Sequence, residues 1–325
     1  MWDGDELVDI TQGIRIGLDG AVSRAHLFLG YPFDRAVGLR QRDTFWAVAY
    51  GNRTTKSVLM KNGAVHRELN RSYYCAEAYD YPVVLAVGPT RRAVVIHCPN
   101  SFDTLEVEDA ESGVTLGKRK SPGMEFHSRL AVSPNGRYVL DAGWFWHPVG
   151  GAWLCDFASL YGDAQAGEFR RDVAFSFGAE IDSAAFLGSD DVVVTSTDEV
   201  INEDTPVTAI WPLRVGVWSI SRGASSKIAK LPEPSGTIMP WREWIISFYG
   251  CPKAIEITTG ETVHRWEAIY SGRQIGSIDL GDPPPPPIAL DPENGRFAVS
   301  GPNGITVVTL DATNVEPDEH HAPAQ

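Results

Sequence analysis

The sequence predicts an all-β fold built from one repeated antiparallel unit. Three observations carry that expectation. The 325 residues include 31 Gly, 22 Pro and 10 Trp, which favours short turns and aromatic packing over long helices. Six hairpin signals recur with turns centred near residues 43, 90, 135, 189, 242 and 294, a spacing of 45–54 residues. Further strand signals follow several of the hairpins.

The hairpins run AVGLRQ into FWAVAYG (36–51), PVVLAVGPTRRAVVIHCP (82–99), RLAVSPNGRYVLDAG (129–143), SAAFLGSDDVVVTST (183–197), GTIMPWREWIISFYG (236–250) and PIALDPENGRFAVSG (287–301). Each joins two apolar, β-branched or aromatic runs through a short turn rich in Pro, Asn, Asp, Gly or Arg. The segment KSVLMKNGAVHREL (56–69) pivots on Asn62-Gly63, a pair that favours a type I′ turn. Two others, DTLEVEDAESGVTLGKR (103–119) and KAIEITTGETVHRWE (253–267), have the same form with longer turns. Four antiparallel strands per unit, repeated at this period, describe a single β-propeller.

The turn Ser133-Pro134-Asn135-Gly136-Arg137 before YVLDAG resembles the S-P-D-G-R turn of divergent WD-repeat-like propellers, as does Asp291-Pro292-Glu293-Asn294-Gly295-Arg296 before FAVSG. The WD dipeptide is replaced by Cys155-Asp156 in one unit and Trp218-Ser219 in another, and no Gly-His pair is visible. The resemblance covers most of the chain and implies the fold. It places six blades at 21–70, 71–120, 121–172, 173–232, 233–275 and 276–312, within a propeller domain of 1–312. The final unit shows no fourth strand after ITVVTL (305–310), and LVDITQGIRIG (7–17), within a closing segment 1–20, is expected to supply it. Seven irregular blades are the alternative. Residues 313–325 read as a flexible acidic tail.

A net charge of −14 opposes binding to nucleic acid or to anionic membranes, since both need a basic surface. It is compatible with a basic protein partner or with solubility alone. The N-terminal MWDGDELVDI lacks the basic and apolar regions of a signal peptide, and no apolar run has transmembrane length, so the expected location is cytoplasmic. Cys75, Cys98, Cys155 and Cys251 form no CxxC pair and read as buried thiols. The Asn52 and Asn70 sequons match glycosylation acceptors only formally.

In propellers of the WD-repeat type, the second-to-third-strand loops and the blade-to-blade connections open on one, upper, face. The resemblance therefore gathers Tyr50, Asn52 and Arg53 with His97, Asn100 and Phe102, with Trp144, Trp146 and His147, and with Tyr249 and Lys253. A long insertion, STDEVINEDTPVTAIWPLR (196–214), adds Asp198, Glu199, Glu203 and Asp204. Trp144 and Trp146 are two apart on a continuing strand and point to the same side. Inter-blade packing and an exposed binding anchor are equal readings of that pair. The carboxylates serve a basic partner or only solvate the loop. Pro283 to Pro287 read as a stiff polyproline connector, with recognition by a polyproline-binding domain as the alternative.

Catalytic motifs are sparse. Gly113 to Lys118 has three residues between its glycines and sits on a hairpin, so it is no phosphate loop. Neither a GxSxG elbow nor an HExxH motif occurs. Asp141, Glu180 and Asp182 lie near strand positions that a channel metal site would need, as in some propeller lactonases. The expected function is a non-enzymatic, protein-binding scaffold whose upper face is aromatic and acidic. The alternatives are an inhibitor or immunity-type protein that neutralises a basic toxin or enzyme, and a channel-based hydrolase or lactonase. No cofactor is called for. An enzyme predicts a polar channel ringed by carboxylates; a binding protein predicts a plugged or apolar channel with exposed aromatics at one rim.

Overall fold

The computed structural model describes residues 1–27, 29–121, 123–146, 149–162, 170–172, 178–201, 210–278 and 284–311. Among them the chain is almost entirely antiparallel β-structure, with one 3₁₀ turn at Phe157–Leu160. No helix among the described residues is long and apolar enough to cross a membrane. Seven sheets follow in chain order, at 2–24, 35–70, 83–120, 130–172, 179–230, 238–265 and 288–309. In each, the described strands pair in sequence order, except that two strands within the span of the fourth pair instead with residues 125–126 in a smaller sheet.

The period-2 pattern of the strands is what stacks the sheets. Along Thr44–Tyr50, Phe45, Ala47 and Ala49 face Val8 and Ile10 of the first sheet. The alternate residues Trp46 and Val48 face Val83, Leu85 and Val95 of the third. Val94 and Ile96 then turn onto Leu130 and Val139 of the fourth sheet. Val192 and Val194 pack back onto Leu140 and Leu154, whereas Val193 faces Ile245 and Ile255 of the sixth. Each of these valines and isoleucines is fully buried, which stabilises by about 2 kcal/mol per side chain.

The turns explain the repeated motifs. In Ser133 to Arg137, the Ser133 hydroxyl accepts from the amides of Arg137 (3.2 Å) and Tyr138 (2.9 Å) while Gly136 takes φ +68°. Asp291 plays the serine's part in the last sheet, accepting from the Asn294 amide at 3.2 Å. Asn62 and Gly63 both adopt positive φ, as a type I′ turn requires.

The N-terminal segment departs from expectation. Glu6–Asp9 and Ile14–Gly17 pair with each other and with Trp2–Asp3 and Val22–Arg24, so 2–24 is a sheet of its own and adds no strand to the last one. The last sheet has three described strands, and the tail lies outside the described residues. The ring is joined instead by side chains. Trp2 Nε1 donates to the Ala289 carbonyl at 3.2 Å, and the Arg296 guanidinium lies 4.2 Å from the Trp2 ring centroid. Arg296 also pairs with Asp5 (2.9 Å) and Asp291 (2.7 Å) and donates to the Gly4 carbonyl. On the other side, Asp3 binds Arg40 of the second sheet and Arg15.

A cavity of about 1650 Å³ runs through the centre. It is lined by the first strand of all seven sheets, through residues such as Trp2, Val37, Leu85, Ala131, Leu187, Trp241 and Leu290. It continues between the first and last sheets, past Ile16 and Ile305. Hydrophobic clusters fill the other six inter-sheet spaces; among the described residues none spans this seam.

Two outcomes follow from this joint. Arg296→Ala should cost about 2 kcal/mol in chemical denaturation, because the buried guanidinium covers Trp2 and bonds half-buried Asp291 and the Gly4 carbonyl. Burial pushes the Asp3 carboxyl up, but hydrogen bonds and charge from Arg40 and Arg15 outweigh it and hold the group below its usual range. A folded pKa below the unfolded one gives stability that is complete above about pH 4 and lost as pH falls through the folded value. Asp3→Asn should therefore flatten the acid limb of the stability–pH curve.

Candidate upper-face site and the strap across the channel

The aromatic run after Asp141 builds its own platform. Trp144–Phe145 pairs with Glu125–Phe126 on one side and with Val149–Gly150 on the other, forming the small inserted sheet. Two glycines permit it. A Cβ on Gly143 would lie 2.1 Å from the Phe126 carbonyl, and one on Gly150 would lie 2.3 Å from that of Ile181. The rings then stack in series: Tyr74 on Phe102 at 5.1 Å, Phe102 on Phe126 at 4.1 Å, and Phe126 on Trp144 at 3.7 Å. Tyr79 closes the stack edge-on, 5.4 Å from Phe126 and 5.8 Å from Trp144. Pairs of this kind add about 1 kcal/mol each beyond the area they bury.

The two tryptophans divide the two readings between them. Trp144 is 4% exposed and belongs to the packed stack. Trp146, 6.4 Å from Phe126, is 44% exposed at its end. Its amide donates to the Met124 carbonyl at 3.1 Å, which sets exposed Met124 beside it. Tyr74 and its neighbour Tyr73 are also exposed. The structure thus leaves three side chains of this platform exposed, Tyr74, Met124 and Trp146, of which sequence reading found only Trp146. Tyr74 and Met124 were missed because neither sits in a strand pattern.

The other expected residues scatter. His97 is 1% exposed, a correction to its expected place on the face. It shares the strand parity of Val95 and lies between sheets, with Nε2 3.1 Å from Glu108. Burial raises the Glu108 carboxyl, but His97 and Arg67 outweigh it and hold the group low. Lys253 is likewise buried, bound to Glu233 at 2.8 Å, with its ammonium 5.6 Å from the half-buried Tyr249 ring. Tyr50 is half-buried against Tyr81 at 5.2 Å. Asn100 is exposed and donates to Glu106 at 2.7 Å. Asp198 and Glu199 are exposed, but on a strand, Asp191–Val200, that runs on where a loop was expected. They approach the aromatic platform through Glu180, which accepts from the Gly150 amide at 2.9 Å and from Thr197 at 3.5 Å. Burial raises the Glu180 carboxyl, and the charges of Glu199 and Asp182 add to that. His147, Glu203 and Asp204 lie outside the described residues. Cys98 and Cys155 are buried, whereas Cys75 and Cys251 are half-exposed, and none of the four is in a disulfide.

The connection from the sixth to the seventh sheet covers the upper end of the channel. Its residues 271–278 start at the sixth sheet, where the Ser271 hydroxyl donates to the Phe248 carbonyl (2.8 Å) and the Gly250 amide to that of Gly272 (2.6 Å). They then reach the entry to the third sheet, where Ile278 bridges Tyr79 and the Asp80 amide donates to the Ser277 carbonyl at 3.1 Å. Gln274 Nε2 donates to Asp80 at 3.0 Å. Asp182 pins the middle. Its Oδ1 accepts from the Gly276 amide, and Oδ2 from the amide and hydroxyl of Ser235 and the amide of Gly236, each at 2.9 Å. Burial raises this carboxyl, against the pull of those donors and of Arg129. Arg129 donates to the Asp182 carbonyl at 2.8 Å, and Arg53 Nη2 lies 3.3 Å from Asp80. The polyproline segment finishes the crossing, with the Pro285 carbonyl accepting from Arg35 at 3.0 Å.

Asp141 and Asp182, considered for a channel metal, are thus both engaged elsewhere. Asp141 accepts from His127 Nδ1 at 2.5 Å, and His127 Nε2 lies 3.1 Å from the Ser121 hydroxyl. This Ser–His–Asp order copies a hydrolytic triad, but the three residues are 2%, 0% and 1% exposed. A nucleophile must be reachable by substrate and must face an oxyanion site. Here the chain of bonds ties the segment entering the fourth sheet to the strand Tyr138–Asp141. Among the described residues, no three His, Cys, Asp or Glu side chains come together as metal ligands.

Asp182→Ala leaves the buried amides of Gly276, Ser235 and Gly236 without an acceptor and should cost about 3 kcal/mol. Hydrogen exchange at the Gly276 and Gly236 amides should accelerate more than exchange in the sheet cores.

No protein-family model matches the chain, and no curated protein matches its sequence. Solved structures match its shape. Kuenenia stuttgartiensis hydrazine synthase superposes with a TM-score of 0.60 at 11% identity, over 91% of this chain and 89% of that one. The Neurospora crassa Pan2 WD40 domain superposes with a TM-score of 0.53 at 12% identity, over 91% and 82%. At such identities the likeness speaks for the fold. In fold, the chain is a divergent WD-repeat-like β-propeller.

Proposed function

We propose that this propeller is a protein-binding scaffold that engages its partner through the upper face. The observation that carries the reading is the exposure of Tyr74, Met124 and Trp146 on a buried aromatic stack. Aromatic side chains held rigidly at a surface concentrate interface energy, because they give up little conformational entropy on docking. The exposed carboxylates of Asp198 and Glu199, coupled to the platform through Glu180, favour a partner with basic groups beside its apolar anchor. The channel adds support. Its upper end is crossed by the strap, an arrangement that suits a display surface.

Immobilised wild-type protein and a Tyr74→Ala/Trp146→Ala variant, probed with an extract of the native host, test the reading. A partner held by the wild type should be lost from the variant, with about 2 kcal/mol removed per anchor. Asp198→Asn with Glu199→Gln should weaken the salt dependence of the same complex. Retention of every partner by the aromatic variant would place the binding surface elsewhere.

A further inference from the structure

On the opposite, lower face, two neighbouring hairpin turns enclose a cavity of about 580 Å³. The first follows Arg35–Gln41 in the second sheet, and the other follows Val83–Val87 in the third. Three arginines line the cavity, Arg42, Arg91 and Arg92, together with Thr44, Trp46 and the carboxylates of Asp43, Asp109 and Glu111. The side chain of Gln41 ties the two turns together by donating to the Arg91 carbonyl at 2.7 Å.

Two features set this cavity apart. Arg42 and Arg91 both have left-handed backbone, with φ of +52° and +59°. A side chain is strained there, and the chain's own relaxed solution is seen at Asn62-Gly63. The second feature is the charge. Asp109 is taken by the Ser112 amide and hydroxyl, both at 2.8 Å, and Glu111 by Lys61 at 2.6 Å. Arg92 reaches Asp109 only at 3.5 Å, and Asp43 lies within the field of Arg40. Neither Arg42 nor Arg91 has a side-chain partner among the described residues. Arg242 has the same backbone at φ +54°, but its guanidinium is spent over Trp241 at 4.5 Å.

We propose that this cavity binds a phosphate-type oxyanion between the guanidiniums of Arg42 and Arg91, with Arg92 and the Thr44 hydroxyl beside them. Planar guanidinium forks match such an anion in geometry and in charge. The strained turns hold two of them at one cavity in a protein whose net charge is −14. The phosphate could belong to a modified side chain or to a nucleotide, and the chemistry of capture is the same.

The test titrates the protein with inorganic phosphate, O-phosphoserine and AMP at matched ionic strength, following the arginine Nε–H and Trp46 indole resonances. Saturable shifts with phosphate are expected, and the tighter of the two organic probes identifies the source. Arg42→Gly/Arg91→Gly should bind phosphate at least about tenfold more weakly. The same variant should melt no lower than the wild type, because glycine relieves the strained backbone. Equal shifts with chloride would overturn the proposal. So would unchanged phosphate binding in the glycine variant, or a lower melting temperature that removes the strain argument.

Discussion

A ring of sheets is only as sound as its last joint, and here that joint is electrostatic. Six inter-sheet spaces are filled by interleaved apolar side chains. The seventh is held by Arg296, stacked on Trp2 and bonded to Asp5, Asp291 and the Gly4 carbonyl. The central cavity runs out into that seam. Among the described residues no strand is shared by the first and last sheets, and their contact there is made by a guanidinium, an indole and the short turn after Asp3. Asp3 in turn holds the first sheet to the second through Arg40. One acidic turn therefore serves both sides of the N-terminal sheet.

The seam and the strap together shape what the ring can present. A β-strand ends where its neighbours stop covering it, so loops at the strand ends carry whatever chemistry the disc has. On the upper face, the crossing from the sixth to the seventh sheet is held by Asp182 and Asp80. Ile278 within it packs into the aromatic cluster with Tyr79, Phe126 and Trp144. Strap and aromatic platform are thus one packed unit. That arrangement gives the exposed Trp146 and Tyr74 a rigid base, which a free loop would not have.

Much of the fold was legible because two signals are local. Alternation along FWAVA and VVIH decides which face each residue buries, and turn chemistry such as Ser133 to Arg137 decides where the chain reverses. The N-terminal sheet was harder to see. Its strands are two to four residues long, too short for alternation to register, and LVDITQGIRIG therefore reads as one strand with a flaw. The site was only partly legible for another reason. Loop residues were assigned to a face by topology, but exposure is set by side-chain parity. His97 and Lys253 sit at the right end of the disc and point inward. Tyr74 and Met124 lie in irregular segments and join the platform of Trp146 only through tertiary contacts. Asp182 looks like any strand aspartate until Gly276, 94 residues on, comes to meet it.

The seam also sets an order of events during synthesis. Trp2 and the Ala289 carbonyl it binds are separated by 287 residues. At roughly 5–20 residues per second, the first sheet exists for about 15–60 seconds before its second neighbour is made. Through that interval one of its faces, with Trp2 and Ile16, has no protein to cover it. Only the Asp3–Arg40 side of the joint can form early, as soon as the second sheet emerges. The acidic N-terminal turn is therefore the first part of the ring to be built and the last to be finished.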